Sequence, residues 1–310
     1  MTGAPIVQLT VLGSGSAGNA TLVASGDARV LVDAGLSCRD LVRRLASLRP
    51  PLRGCAGDPG GPLQRGGRAG DPGGVDPASI GAIVITHAHG DHTRGAGLFS
   101  RKYNVPVYAT SAVWTEWAEP DLAEWRPLAL GCVTEVCGFR FLPFRVPHDA
   151  AETLAFRIET RDGAIGFATD IGSTPPELAA RFRDCRVLVM ESNHAADLLR
   201  VSPYAPPTRA RIGSDYGHLS NEALAGFIRA HLGPGVRCLV LAHLSRVNNV
   251  AEIAELTCRA ALVACGRTDV RLVVASQRQV SETIDVAAWA APRPLASRIS
   301  AQQVPLPFGN

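Results

Sequence analysis

The sequence has no apolar run approaching the roughly 18 residues that a membrane-spanning helix needs. Its first residues, Met-Thr-Gly-Ala-Pro, place no basic region ahead of an apolar stretch, so no signal peptide is expected. None of the eight cysteines forms a C-x-x-C pair. Their scatter fits reduced thiols in a cytoplasmic protein rather than a disulfide framework. Strong charge of one sign is also lacking. The net charge of +3 is too small to argue for nucleic acid by itself. Lysine is nearly absent: Lys102 is the only one among 31 basic residues. Arginine suits bidentate phosphate contacts. The same bias, with the alanine, glycine and proline content, also follows from a GC-rich genome, and that is the preferred reading. No internal repeat is present.

What is present begins with a glycine pattern. Gly13, Gly15 and Gly18 form G-x-G-x-x-G, and Asp33 follows Gly13 by twenty positions, the outline of a dinucleotide-binding fingerprint. That fingerprint needs a strand before the glycines and a helix after them, whose N-terminal N–H groups hold the pyrophosphate. The strand is there over residues 6–12. The helix is not: residues 19–33 read as strand, Ser-Gly-Asp turn, strand. The loop is therefore expected to join two adjacent antiparallel strands, and no nicotinamide cofactor is expected.

Residues 50–77 are rich in Gly, Pro and Arg and hold almost no large apolar side chain, so they are expected to be a flexible insertion. The Pro/Ser/Gln-rich stretch 289–310 is expected to be a loose tail, leaving residues 1–288 as one globular unit. Strands are expected near 6–12, 20–24, 28–33, 81–86, 106–109, 139–146, 153–159, 163–168, 186–191, 237–242 and 270–275. Helices are expected at 37–48, 92–102, 111–118, 220–231 and 250–265. This succession suits an α+β chain with two sheets packed together and helices outside.

The strongest chemical signal is H-x-H-x-D-H: a buried strand runs straight into His87, His89, Asp91 and His92. In extended chain His87 and His89 point the same way. Gly90 is expected to let the chain turn, so that Asp91 and His92 face the same point from the start of a helix. Four nitrogen and oxygen ligands within six residues is metal chemistry.

H-x-H-x-D-H after a strand resembles the metallo-β-lactamase superfamily. The resemblance implies an αββα four-layer sandwich of two mixed sheets with a dinuclear metal site at their edge. It further implies that His148, Asp170 and His243, each at a strand end, complete the site. His87, His89 and His148 would hold one divalent ion and Asp91, His92 and His243 the other, with Asp170 bridging. Zn, Mn and Fe all suit such ligands. Asp33 is expected to lie beneath the metal loop and orient a ligand.

Two such metals can activate water and clamp both oxygens of an in-line displacement. The ligands alone leave lactams, thioesters and phosphodiesters open. Glu191 after a strand and His218 before a helix, with Ser220 or Asn221 capping, resemble the phosphodiesterase branch that includes tRNase Z. There the extra histidine contacts phosphate and helps protonate the leaving oxygen. The expected catalytic residues are thus Asp91, His218, Glu191 and His194, with Arg200, Arg209 and Arg211 as candidate phosphate contacts; His231 is expected at the surface. The runs GSGSAGN, THAHGDHTRG, VPHDA, ATDIG, MESNH, GHLSNE and AHLSRVNN together resemble the WalJ/YycJ-type group. That implies a 5′-to-3′ DNA exonuclease, with a small phosphodiester, RNA, or a thioester or lactam as alternative substrates. The 50–77 insertion departs from that group, and no β-CASP insertion is evident.

Overall fold

A computed structural model describes residues 5–48, 74–119 and 121–288. The first half of the chain lays down β1 (Gln8–Gly13), β2 (Ala20–Ser25), β3 (Ala28–Val32), β4 (Ala82–Val84), β5 (Val107–Ala109) and β6 (Trp125–Pro127). Between these strands lie α1 (Cys38–Ser47), α2 (Gly90–Thr93), α3 (Ala96–Tyr103) and α4 (Ser111–Trp117). The second half supplies β7 (Thr134–Val136), β8 (Phe139–Arg145), β9 (Leu154–Thr160), β10 (Gly163–Ala168), β11 (Cys185–Glu191), β12 (Cys238–Ala242) and β13 (Arg271–Val274). Its helices are α5 (Pro176–Phe182), α6 (Ala196–Arg200), α7 (Pro206–Ile212), α8 (Asn221–His231) and α9 (Ala251–Ala264). A last strand, β14 (Ile284–Asp285), returns to the first sheet and pairs with β1.

The sheets run β14-β1-β2-β3-β4-β5-β6 and β13-β12-β11-β10-β9-β8-β7. Both are mixed. The hairpins β1–β2–β3 and β7–β8–β9–β10 are antiparallel, whereas β3 to β6 and β10 to β13 are parallel.

Strand periodicity makes the layers. Val30 and Val32 of β3, with Ala82 and Val84 of β4, face a core that also holds Val187, Val189 and Val240 of the other sheet. The alternate residues Leu31 and Ile83 face Leu41 and Leu45 of α1 and Phe99 of α3. On the second sheet Leu188, Met190, Leu239 and Leu241 face outward onto α5, α8 and α9. The result is the expected αββα sandwich. Because β3, β4, β10, β11 and β12 are parallel within their sheets, the residues that follow them gather along one edge of the sandwich.

The glycine motif is a loop between the antiparallel β1 and β2, as expected. The expected helix at 92–102 is instead two short helices. Gly95 breaks it: its N–H donates to Ala34 O at 2.8 Å, and a Cβ there would overlap Leu36 O. Helices α5, α6 and α7 and strands β6, β7 and β14 were not expected, although Pro176 and Glu177 in the first turn of α5 are a readable start signal. Residues 50–73 of the expected insertion and the expected tail at 289–310 lie outside the described residues; residues 74–77 lead into a 3₁₀ turn, Pro77–Ser79, capped by Asp76. No helix among the described residues is long and apolar enough to cross a membrane.

Gly35 and Gly90 provide a test of the loop packing. A Cβ on Gly35 would overlap the Asp91 carbonyl and crowd His92 N, whereas one on Gly90 would meet nothing within 4 Å. The turn at Gly90 therefore does not require glycine, contrary to the expectation from sequence. Gly35→Ala is expected to destabilise the fold by about 1–3 kcal/mol, read as a lower thermal midpoint, while Gly90→Ala leaves that midpoint within a degree or so. Equal midpoints for the two variants would contradict the packing described.

Candidate metal centre

The site is built at strand ends. Asp33 follows β3, His87 and His89 follow β4, and His148 follows β8. Asp170 follows β10, Glu191 ends β11, and His243 follows β12. Turning a side chain back over the end of a sheet needs unusual backbone. Asp33, Asp170 and His243 have φ of 61°, 58° and 54°, in the left-handed region. That conformation costs a non-glycine residue about 1–3 kcal/mol and persists only where the surroundings enforce it.

Two ligand groups form, each with its ligand atoms within 4.8 Å of one another: His87, His89 and His148, and Asp91, His92, Asp170 and His243. Asp170 reaches toward both. Its Oδ2 lies 2.9 Å from His92 Nε2, and its Oδ1 lies 3.8 Å from His148 Nε2.

The buried imidazoles are held by Nδ1. His92 Nδ1 lies 2.7 Å from Asp33 Oδ2, and His148 Nδ1 lies 2.9 Å from Gly217 O. His243 Nδ1 lies 2.8 Å from Glu191 Oε1, and His87 Nδ1 lies 3.0 Å from Thr86 Oγ1. Carboxylate and carbonyl oxygens only accept, so Nδ1 of His92, His148 and His243 carries a hydrogen, which leaves Nε2 as the nitrogen that faces the centre. His87 Nε2 and His148 Nε2 are buried and have no hydrogen-bond partner. Orphaned nitrogens aimed at a set of carboxylates are what a divalent cation needs, so the residues present fit two such ions.

A third group, Asp170, Glu191, His218 and His243, also lies within 4.8 Å. Glu191, fully buried, is saturated. Its Oε1 accepts from His218 Nδ1 and His243 Nδ1, each at 2.8 Å. Its Oε2 accepts from the backbone N–H of Ile171 at 2.8 Å and Leu219 at 3.2 Å. That leaves no lone pair for a metal, so Glu191 orients the two imidazoles instead. His218 is the one member of this group with partial exposure, its side chain 15% exposed.

Charges follow from this packing. Burial alone would raise the Asp170 carboxyl, but His243 and His92 hold it well below the usual range. Burial likewise opposes ionised Glu191, yet His218 and His243 pull it down to about 2. Burial lowers His243, but Asp170, Asp91 and Glu191 push it up to about 10. The same contest, won by Asp170 and Asp33, raises His92 well above its ordinary value, and Glu191 and Asp170 raise His218. His87, with other histidines around it, is lowered by burial.

The remaining expected residues divide. His194 is buried and outside all three groups; its backbone bridges to Ser220, its O accepts from Asn221 N, and its Nδ1 has no partner. Ser220, not Asn221, caps α8. Arg211 pairs with Asp149, whose Oδ1 is 3.1 Å from His148 Nε2. Arg200 pairs instead with Asp197, and Arg209 donates to Arg200 O. His231 is exposed at the end of α8. Sequence reasoning missed Thr86, which ties Asp33 to His87, and Asn19, whose Nδ2 is 2.9 Å from His92 Nε2. It also missed Ser14, whose hydroxyl accepts from His243 N at 2.7 Å. Thr86 adjoins the metal motif and Asn19 ends the glycine motif, which were the available signals.

The sequence profile described as beta-lactamase superfamily domain matches residues 28–244. The chain is similar to Exodeoxyribonuclease WalJ of Streptococcus pneumoniae, 29% identical over 256 residues, which span 81% of this chain and 86% of that protein. It is similar also to Exodeoxyribonuclease YycJ of Bacillus anthracis, 28% identical over 257 residues, 81% of this chain and 87% of that one. Among solved structures, the metallo-beta-lactamase fold protein YhfI from Bacillus subtilis superposes with a TM-score of 0.62 at 16% identity, covering 89% of this chain and 98% of that one. That likeness shows the fold.

Two measurements test the centre. Metal must displace protons from His92 and His243, so binding is expected to release about two protons near neutral pH and to tighten as pH rises. Calorimetric titration with Zn²⁺ or Mn²⁺ in buffers of different ionisation enthalpy reads this, and zero release would contradict the charge arrangement. Asp33→Ala removes the acceptor on His92 Nδ1 and is expected to weaken metal binding about 10–100-fold.

Proposed function

The chain belongs to the beta-lactamase superfamily, and on that premise we propose that it is a dinuclear metal-dependent phosphodiester hydrolase, an exodeoxyribonuclease acting on DNA from the 5′ end. The substrate follows from the two relatives named as exodeoxyribonucleases; the polarity rests on the motif resemblance. In this reading His87, His89 and His148 hold one ion, Asp91, His92 and His243 the other, and Asp170 spans them. The ions are zinc or manganese, with iron also compatible, and the protein works in the cytoplasm. Bound there, the two cations would supply Lewis acidity that activates water and neutralises charge on the phosphoryl oxygens.

The observation that carries the phosphodiesterase reading is the Glu191–His218 pair at 2.8 Å. A phosphodiester needs its leaving oxygen protonated, and a partly exposed imidazole whose pKa is raised by a buried carboxylate is suited to hold that proton. Glu191 favours the protonated form of His218 and fixes its ring through Nδ1, so Nε2 is the nitrogen that would donate. The same carboxylate aims His243, so one buried group sets both a metal ligand and the acid. Arg211, restrained by Asp149 beside His148, is placed to meet a phosphate oxygen. Arg200 and Arg209 engage Asp197 and each other, which removes the reason for a phosphate role. His194 touches neither ligand group and is read as a support for the turn before α8.

The test is end-labelled duplex DNA, single-stranded DNA and RNA incubated with the metal-loaded protein, beside an Asp170→Asn control. Stepwise loss of DNA from the 5′ end, abolished in the control, is expected. His218→Ala, with both metals retained, is expected to slow DNA hydrolysis about 10²–10⁴-fold. If no polymer is cut while two metals stay bound, and His218→Ala hydrolyses a thioester as fast as the parent, the substrate is a carbonyl compound instead.

A further inference from the structure

The glycine loop that resembles a dinucleotide fingerprint is left without a role by the metal chemistry, yet it is built into the centre. Asn19 N donates to Asp91 O at 2.7 Å, and Ser14 Oγ accepts from His243 N at 2.7 Å. Between those anchors Ser16 and Ala17 are exposed. Three arginines stand around this loop. Arg94, three residues past Asp91, donates to Ala17 O at 3.1 Å. Arg278 follows Gln277, whose side chain accepts from Ala17 N at 2.8 Å and donates to Gly18 O at 2.9 Å. Arg246 lies three residues past His243, in the loop whose Leu244 carbonyl approaches Gly15.

All three are exposed, and none pairs with a carboxylate among the described residues. Elsewhere Arg43, Arg101, Arg140, Arg181 and Arg259 each stand within 3.3 Å of a carboxylate oxygen, while the other exposed arginines without such a partner among the described residues, Arg39, Arg183 and Arg229, are scattered singly along the chain. Cations left unpaired on three converging loops, beside a site whose own carboxylates face inward, form a rim suited to a polyanion. Arg211 lies beside the other ligand group through Asp149 and His148. Asp149 offsets that charge, so the unpaired arginines border the centre at the glycine loop.

We propose that Arg94, Arg246 and Arg278, set around the exposed Ser16–Ala17 turn, form a track for the backbone phosphates of a nucleic-acid strand entering the metal centre beside Asp91 and His243. This rests on the nuclease reading above. The track contacts phosphates rather than bases, so it adds affinity without sequence preference. Salt dependence is its signature. Each phosphate contact on a single strand contributes about 0.7 to the slope of log affinity against log salt concentration.

The experiment uses the metal-loaded full chain and a short, fluorescent, phosphorothioate-linked oligodeoxynucleotide that resists cleavage, with binding followed by anisotropy across salt concentrations. Each single change, Arg94→Gln, Arg246→Gln or Arg278→Gln, is expected to lower the slope by about 0.7, and the triple variant by about 2. At about 0.1 M salt the triple variant is expected to bind roughly a hundredfold more weakly. Arg140→Gln, at a paired arginine on β8, is expected to leave the slope unchanged. Thermal midpoint and metal content identify any variant that fails to fold. If the parent degrades DNA and the folded triple variant binds with unchanged affinity and slope, the track is wrong and the nuclease reading stands. If the parent neither binds nor degrades any strand, the nuclease reading falls and the track with it.

Discussion

A carboxylate buried away from water costs several kcal/mol unless its lone pairs are matched by donors in good geometry. This protein buries Asp33, Asp170 and Glu191 at the edge of its sandwich, and the matching of Asp33 and Glu191, one per sheet, builds much of the site. Asp33 receives Thr86 N at 2.8 Å, the Thr86 hydroxyl at 3.0 Å and His92 Nδ1 at 2.7 Å. Glu191 receives two imidazoles and two backbone N–H groups. Through these bonds the ends of β3 and β4 are locked together in one sheet, and the ends of β10, β11 and β12 in the other. The imidazoles that face the centre are thereby oriented by the fold itself.

The same constraint explains where strain is kept. Asp33, Asp170 and His243 take left-handed backbone at the ends of strands that are otherwise regular. Each has a local bond to offset the cost: Asp33 N to Val84 O, Asp170 within reach of His92, and His243 N to Ser14 Oγ. A strand end that continued in β geometry would point these side chains to one face of their own sheet rather than over its end. Gly35, packed against the Asp91 carbonyl, lets the loop between β3 and α1 come close enough to seat the metal motif.

Charge is sorted by depth. Inside, histidines and carboxylates set one another's protonation, and His218 sits at the boundary with its pKa raised by Glu191. Outside, most arginines among the described residues neutralise acidic neighbours, while Arg94, Arg246 and Arg278 beside the glycine loop do not. A chain whose net charge of +3 says little about partners can still present a local field, because the distribution and not the sum decides what a surface attracts.

Much of this was legible in the sequence, for identifiable reasons. H-x-H-x-D-H is contiguous, so chain geometry alone nearly converges its ligands, and short continuous apolar runs in β3, β4, β11 and β12 mark strands buried on both faces. The glycine motif was separable from a nucleotide site because the next fifteen residues lack a helical period. His148, Asp170, Glu191, His218 and His243 were found only by resemblance, since each is a lone polar residue at a strand or loop end. Short elements such as β6, β7, β14, α6 and α7 carry too few residues to show a period. What the sequence alone determined was the strand pattern and a local metal motif. Tertiary structure decided which nitrogen each imidazole turns inward, that Glu191 serves two histidines at once, and that Arg211 rather than Arg200 or Arg209 stands beside the site. Those are matters of long-range contact: they depend on which strand ends meet across the two sheets, and no spacing along the chain encodes that meeting.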